Sequence, residues 1–136
     1  MIIDTSTLVS AERRKHSVRD IFSQLRQMFG EVTAGLSVVT VAELAHGVER
    51  EKQDAHRLYR QNFLDDLLAD IKVYPVTVEI ALRSGQLSGQ LAQQGVVIPI
   101  EDILIGATAL ECGFDVVTEN VRHFEIIPNL VVRSSK

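Results

Sequence analysis

Three acidic residues stand inside apolar stretches of this 136-residue chain: Asp4 in MIIDTS, Glu43 in VVTVAELAHG and Asp102 in VIPIEDILIGATAL. A carboxylate among core-forming residues is costly unless its charge is compensated. Three of them at the starts or ends of core elements point to one shared cation. Carboxylates completed by water and phosphate oxygens are the ligand set of magnesium or manganese. The chemistry such a set supports is metal-assisted cleavage of a phosphodiester.

Each acid also has a plainer reading. Asp4, followed by Thr5 and Ser6, can cap a short helix. Glu43 can lie on a solvated helix edge. Asp102 suits the first turn of a helix, where the dipole favours an acid, and Glu101 shares that property. The spacing of two glycines favours the metal reading: Gly47 follows Glu43 by four residues and Gly106 follows Asp102 by four. Helical side chains lean towards the amino terminus, so the residue at i+4 normally covers residue i. Glycine leaves both acids open, at about 1 kcal/mol per helix relative to alanine. Close helix packing is the competing account of Gly106. A fourth corner is sought in VTENVRHF, where Glu119, Asn120 and His123 are the candidates and an amide oxygen of Asn120 is a weaker ligand than a carboxylate. None of the histidines has zinc-site spacing.

The elements that must position these groups alternate. Met1 to Ile3 reads as a buried strand, and Val18 to Phe29 as an amphipathic helix ended by Gly30. Leu36 to Val39 reads as a second strand, with Thr40 capping the helix that carries Glu43. Leu58 to Leu68 forms a further helix, Ile71 to Val76 a third strand ended near Pro75, and Thr77 to Gln94 a long helix closed by Gly95. Glu101 and Asp102 open an apolar helix stopped by Gly113. Asp115 to Thr118 is a fourth strand and Leu130 to Val132 a fifth, at an edge. The expected fold is α/β, a mostly parallel sheet of about five strands flanked by helices, in a single domain over 1–136. Ligands of such sheets bind beyond the carboxyl ends of the strands, where Asp4 and Thr118 fall.

At 46% hydrophobic and 24% charged, the composition is that of an ordinary globule rather than a disordered chain. A net charge of −4 argues mildly against a passive nucleic-acid binder, and less against a nuclease whose metal cancels local acidic charge. The single cysteine, Cys112, precludes an internal disulfide and suits a reducing compartment. With Asp4 so near the start there is no room for a signal peptide, and the apolar run Ile103 to Leu110 is too short to span a bilayer. A cytoplasmic protein with no membrane partner is expected.

The blocks IIDTS, SVVTVAELAHGVER and IPIEDILIGATALECGFDVVTENVRHFEIIPNL resemble those of PIN-domain ribonucleases, and more narrowly VapC-type toxins of toxin–antitoxin (VapBC) pairs, over nearly the full length. The resemblance implies a Mg²⁺- or Mn²⁺-dependent endoribonuclease, with Asp4, Glu43 and Asp102 as its metal-binding catalytic acids. Thr5 or Ser6, together with Thr118, match supporting hydroxyls that orient water at the metal. Many relatives carry a fourth acid where this chain has Asn120 or His123, so the number of metals stays open. The resemblance also implies a small antitoxin that occludes the site. The helices Val18 to Phe29 and Leu58 to Leu68 offer apolar surface for a homodimer and a higher toxin–antitoxin complex. Arg13, Arg14 and Lys15 are candidate contacts to RNA phosphates, although a solvated loop explains them as simply. Competing functions are a housekeeping RNA-processing nuclease without antitoxin and a non-catalytic RNA-binding module. A phosphoacceptor domain is excluded because the third strand ends in Tyr74 and Pro75 rather than an aspartate.

Overall fold

A computed structural model describes residues 1–136. Five strands, β1 (Ile2–Ile3), β2 (Gly35–Ser37), β3 (Lys72–Tyr74), β4 (Val116–Thr118) and β5 (Val132–Ser134), form one sheet in the order β3-β2-β1-β4-β5, with every pair parallel. Seven helices connect them: α1 (Thr5–Arg13), α2 (Val18–Phe29), α3 (Val38–Arg50), α4 (Asp54–Asp70), α5 (Val78–Gln93), α6 (Ile100–Cys112) and α7 (Val121–Glu125). This is the α/β architecture the alternating pattern predicts.

Strand side chains alternate between faces, and the short central strands use that alternation to build two cores. Ile3 and Val117 join Leu8, Ile21, Leu25, Leu44, Phe63 and Leu67 under α1 to α4. Their neighbours Ile2 and Val116 join Ile105, Ala109, Phe124 and Ile127 under α6 and α7. Burial on both faces explains why these strands read as continuous apolar runs. From β1 the chain winds outward through β2 to β3, then crosses back to β4 on the other side of β1. That reversal opens a crevice at the carboxyl ends of β1 and β4.

Among the boundaries that differ from the expected ones, three have a clear local reason. The second strand stops at Ser37 because the Ser37 hydroxyl accepts from the Val39 amide and caps α3. Thr40, expected to be that cap, becomes instead a fully buried residue on the inner face of α3. The last strand begins at Val132, after a turn at Pro128 and Asn129 in which Asn129 takes φ +67°. The acidic pair Glu101–Asp102 lies within the first turn of α6, behind Pro99 at the cap position. No helix is long and apolar enough to cross a membrane.

Candidate active site

Asp4 leaves β1 at the crevice and is 2% exposed. Its Oδ2 accepts from the Ser6 hydroxyl (2.7 Å), the Thr118 hydroxyl (2.8 Å) and, at 3.4 Å, the Ser6 amide. The helix-cap reading is therefore correct, since Asp4 is the N-cap of α1. It does not exhaust the residue, because Oδ1 takes no protein donor and is not sealed from solvent. Thr118, at the end of β4, ties the two strands together and also receives the Asn120 amide at 2.9 Å. The Ser6 hydroxyl in turn accepts from the Glu119 amide.

The other two acids follow the same pattern. Glu43 Oε1 accepts from the Thr5 hydroxyl at 2.7 Å, which stands 3.0 Å from the Thr40 hydroxyl. Asp102 Oδ2 lies 2.6 Å from His123 Nδ1. In each case one carboxylate oxygen is held by a protein donor and the other has no protein partner. Burial, the largest cause, pushes both the Glu43 and Asp102 carboxyls above the ordinary carboxylate range. The donors Thr5 and His123 draw them back, while the charges of Asp4 and Glu101 push them further up. The three acids are thus close enough to feel one another's charge. They do not close on a point, however: no three acidic or histidine side chains converge to ligate a single ion directly. Hard oxygen donors with one free atom each, held apart, suit an ion that keeps several of its waters, as magnesium does.

Of the two candidates for the fourth position, His123 is the one whose side chain meets an acid of the cluster, at Asp102. The Asn120 side chain is exposed and joins the cluster only through its backbone amide. His123 is placed because its neighbour Phe124 is fully buried and anchors the five-residue α7. The sequence leaves these two undecided, since the buried phenylalanine that sets the direction of α7 is visible only in the fold. Glu101 is exposed, which settles which of the adjacent acids faces inward.

The two glycines have a different role from the expected one. A Cβ on Gly47 would stand 2.5 Å from the Arg60 guanidinium, and one on Gly106 would stand 2.6 Å from Ile127 Cδ1. Both admit a packed neighbour rather than uncover a carboxylate. Gly106→Val is accordingly expected to lose on the order of 1–3 kcal/mol by overpacking. Thermal melting checks this, and an unchanged melting temperature would contradict the packing account. The run Arg13, Arg14 and Lys15 also divides. Arg13 and Lys15 line one cleft, whereas Arg14 faces a small cavity beside Ser10 and Gln24, because α1 ends at Arg13 and the backbone turns at Lys15 with φ +62°.

The structure separates capping from chemistry at Asp4. Asp4→Ala should cost on the order of 0.5–2 kcal/mol as a lost N-cap, whereas Asp4→Asn keeps an acceptor oxygen and should melt near wild type. Equal melting temperatures for the two variants would show that the cap contributes nothing.

The PIN domain family model matches residues 1–129. The chain belongs to the PIN-domain family. This PIN domain is 26% identical over 133 residues to Ribonuclease VapC2 of Rickettsia felis, covering 98% of this chain and 96% of the relative. It is 25% identical over 131 residues to the tRNA(fMet)-specific endonuclease VapC of Salmonella typhimurium, covering 95% and 92%. Among solved structures it matches a chain of VapBC2 from Rickettsia felis bound to a DNA fragment from their promoter. That match has a TM-score of 0.82 at 26% identity and covers 98% of this chain and 96% of the other. A chain of VapBC-1 from nontypeable Haemophilus influenzae gives a TM-score of 0.79 at 22% identity, covering 98% and 96%, a likeness of fold.

Proposed function

We propose that this PIN domain is a metal-dependent endoribonuclease and the toxin of a toxin–antitoxin pair. The observation that carries the reading is the repeated arrangement at Asp4, Glu43 and Asp102, each with one oxygen held by a protein hydroxyl or imidazole and one without a protein partner. Relatives named ribonuclease VapC along nearly the whole chain support it. Asp4, Glu43 and Asp102 would hold Mg²⁺ or Mn²⁺, which when bound neutralises charge at the phosphodiester and acidifies the attacking water.

The chain's own groups do the rest. Thr5 fixes Glu43 so that its free oxygen can either complete the coordination or accept a proton from the water, and burial raises the proton affinity of that carboxyl. Ser6 and Thr118 lock Asp4, and His123 holds Asp102 in the crevice. Water adds to phosphorus, the bond to the 3′ oxygen breaks, and that oxygen leaves with a proton. The products are a 3′-hydroxyl and a 5′-phosphate.

A small antitoxin would block the site by pairing an arginine with the free oxygens of Asp4 and Asp102. A solved structure at 26% identity that belongs to a VapBC complex supports such a partner. A second copy would meet apolar surface that the core leaves exposed, which includes Met28 on α2 and Leu68 on α4. Val18, Ile21 and Leu25 of α2 are consumed by the core, while Leu58 on α4 and Val78 and Leu82 on α5 remain exposed. Expressing the chain alone should arrest growth and degrade RNA, Asp102→Asn should do neither, and co-expression of the adjacent small gene product should rescue growth. Arrest by Asp102→Asn equal to wild type would refute the catalytic reading. Wild-type arrest without rescue would favour a nuclease with no antitoxin.

A further inference from the structure

The ends of α1 and α3 meet the start of α4 around a cleft of about 380 Å³ that is remote from the acidic crevice. Arg13, Lys15, Arg50, His56, Tyr59 and Arg60 line it, contributed by three separated stretches of sequence. Glu12 and Glu51 also face it, but both are engaged by Arg60, at 2.9 Å and 3.9 Å. The closer contact is an ion pair without hydrogen-bond alignment. Arg60 further donates to the Gly47 carbonyl across the helix surface that glycine leaves bare. Arg13, Lys15 and Arg50 are exposed and have no carboxylate within ion-pairing distance. Three unpaired cations therefore stand together on a chain of net charge −4.

The cleft is tied to the crevice by the helices that build both. Thr5 meets Glu43 at one end of the α1–α3 seam, and Glu12, seven residues on, meets Arg60 over Gly47 at the other. Along α1 the separation from Asp4 to Arg13 is about 14 Å, and along α3 that from Glu43 to Arg50 is about 10 Å, at ~1.5 Å per residue. A single strand held at the acids thus reaches the cleft within a few nucleotides. The Lys15 ammonium lies 4.1 Å from the centre of the Tyr59 ring, and Lys15 itself takes φ +62°, a conformation usually left to glycine. Exposed cations around an aromatic ring are what single-stranded nucleic acid engages, through phosphates and stacked bases.

We propose that this cleft is a second RNA-binding site, which takes the backbone phosphates of single-stranded RNA a few nucleotides from the scissile bond. The inference rests on the nuclease reading for its substrate, and its test has two arms. In the first, metal-free protein is titrated with single-stranded polyuridine across a salt series. Arg13→Ala/Arg50→Ala should weaken binding at least about tenfold and lower the slope of log affinity against log salt by about 1.4, or ~0.7 for each phosphate no longer neutralised. Lys15→Gly, which the left-handed backbone accepts, should shift binding in the same direction with the fold intact. Arg14→Ala, which removes the same charge from the other side, should bind as wild type.

In the second arm, the double variant should raise KM for a long unstructured RNA that wild type cuts and leave cleavage of the shortest cleavable fragment unchanged. Unaltered affinity and salt slope in the double variant would overturn the proposal. So would variants that bind RNA normally but fail to bind a protein partner, which would make the cleft a protein-docking surface. A wild type that cuts neither RNA refutes the nuclease reading instead, and the binding arm still decides the cleft.

Discussion

Glu43→Gln and Asp102→Asn are expected to lose RNA cleavage by on the order of 10²–10⁴-fold while the metal-free protein stays as stable as wild type or becomes more so. The stability half of this result follows from the sign of the pKa shifts. Both carboxyls are raised in the folded state, chiefly by burial. The native protein therefore holds those protons to a higher pH than the unfolded chain does. As pH rises from the ordinary carboxylate range through the raised values, native stability falls. An amide carries no such penalty, and its oxygen still accepts from Thr5 or His123. Melting curves from pH 4 to 8 without metal check the claim: wild type should lose stability with rising pH more steeply than either variant. A marked destabilisation of both variants at neutral pH would make these acids structural.

Manganese added to metal-stripped protein is expected to raise its melting temperature, and Asp102→Asn should abolish most of the rise. An ion that binds only the folded state stabilises by about 2.7 kcal/mol at a hundredfold excess over its dissociation constant. It also relieves the repulsion that Asp4 exerts on both Glu43 and Asp102. Stability and activity should therefore depend on the ion together. A wild-type melting temperature indifferent to manganese and magnesium would remove the ion from the account.

Much of this site is legible in the sequence because its acids sit where charge is costly. Asp4 follows a strand of two isoleucines and Asp102 precedes ILIGATAL, which marks them even though a cap and a helix first turn also suit them, and the alternation of strands and helices places Asp4 and Thr118 at the crevice. What fails is inference from a single residue's neighbours along one helix. Gly47 and Gly106 mark close approach rather than the uncovered carboxylates their spacing suggests, and the approaching groups, Arg60 and Ile127, lie 13 and 21 residues away and are identified only by packing. Thr40 reads as a cap only while the strand is carried two residues too far, although Ser37 offers the same hydroxyl earlier. His123 and the Arg50–Arg60 side of the basic cleft depend on which way a short helix and a helix end turn. Local sequence does not encode that direction.

The central claim is that the three carboxylates hydrolyse RNA through a bound divalent ion, and mapping the ends of its cleavage products tests it most directly. Wild-type protein stripped of metal should leave a target RNA intact. Magnesium or manganese should restore cutting that yields 5′-phosphate and 3′-hydroxyl ends, and Asp102→Asn should yield neither with the same ion. Cleavage that persists in excess chelator, or products carrying 2′,3′-cyclic phosphate, would contradict the account, because the ribose hydroxyl and not a water at these acids would then be the nucleophile.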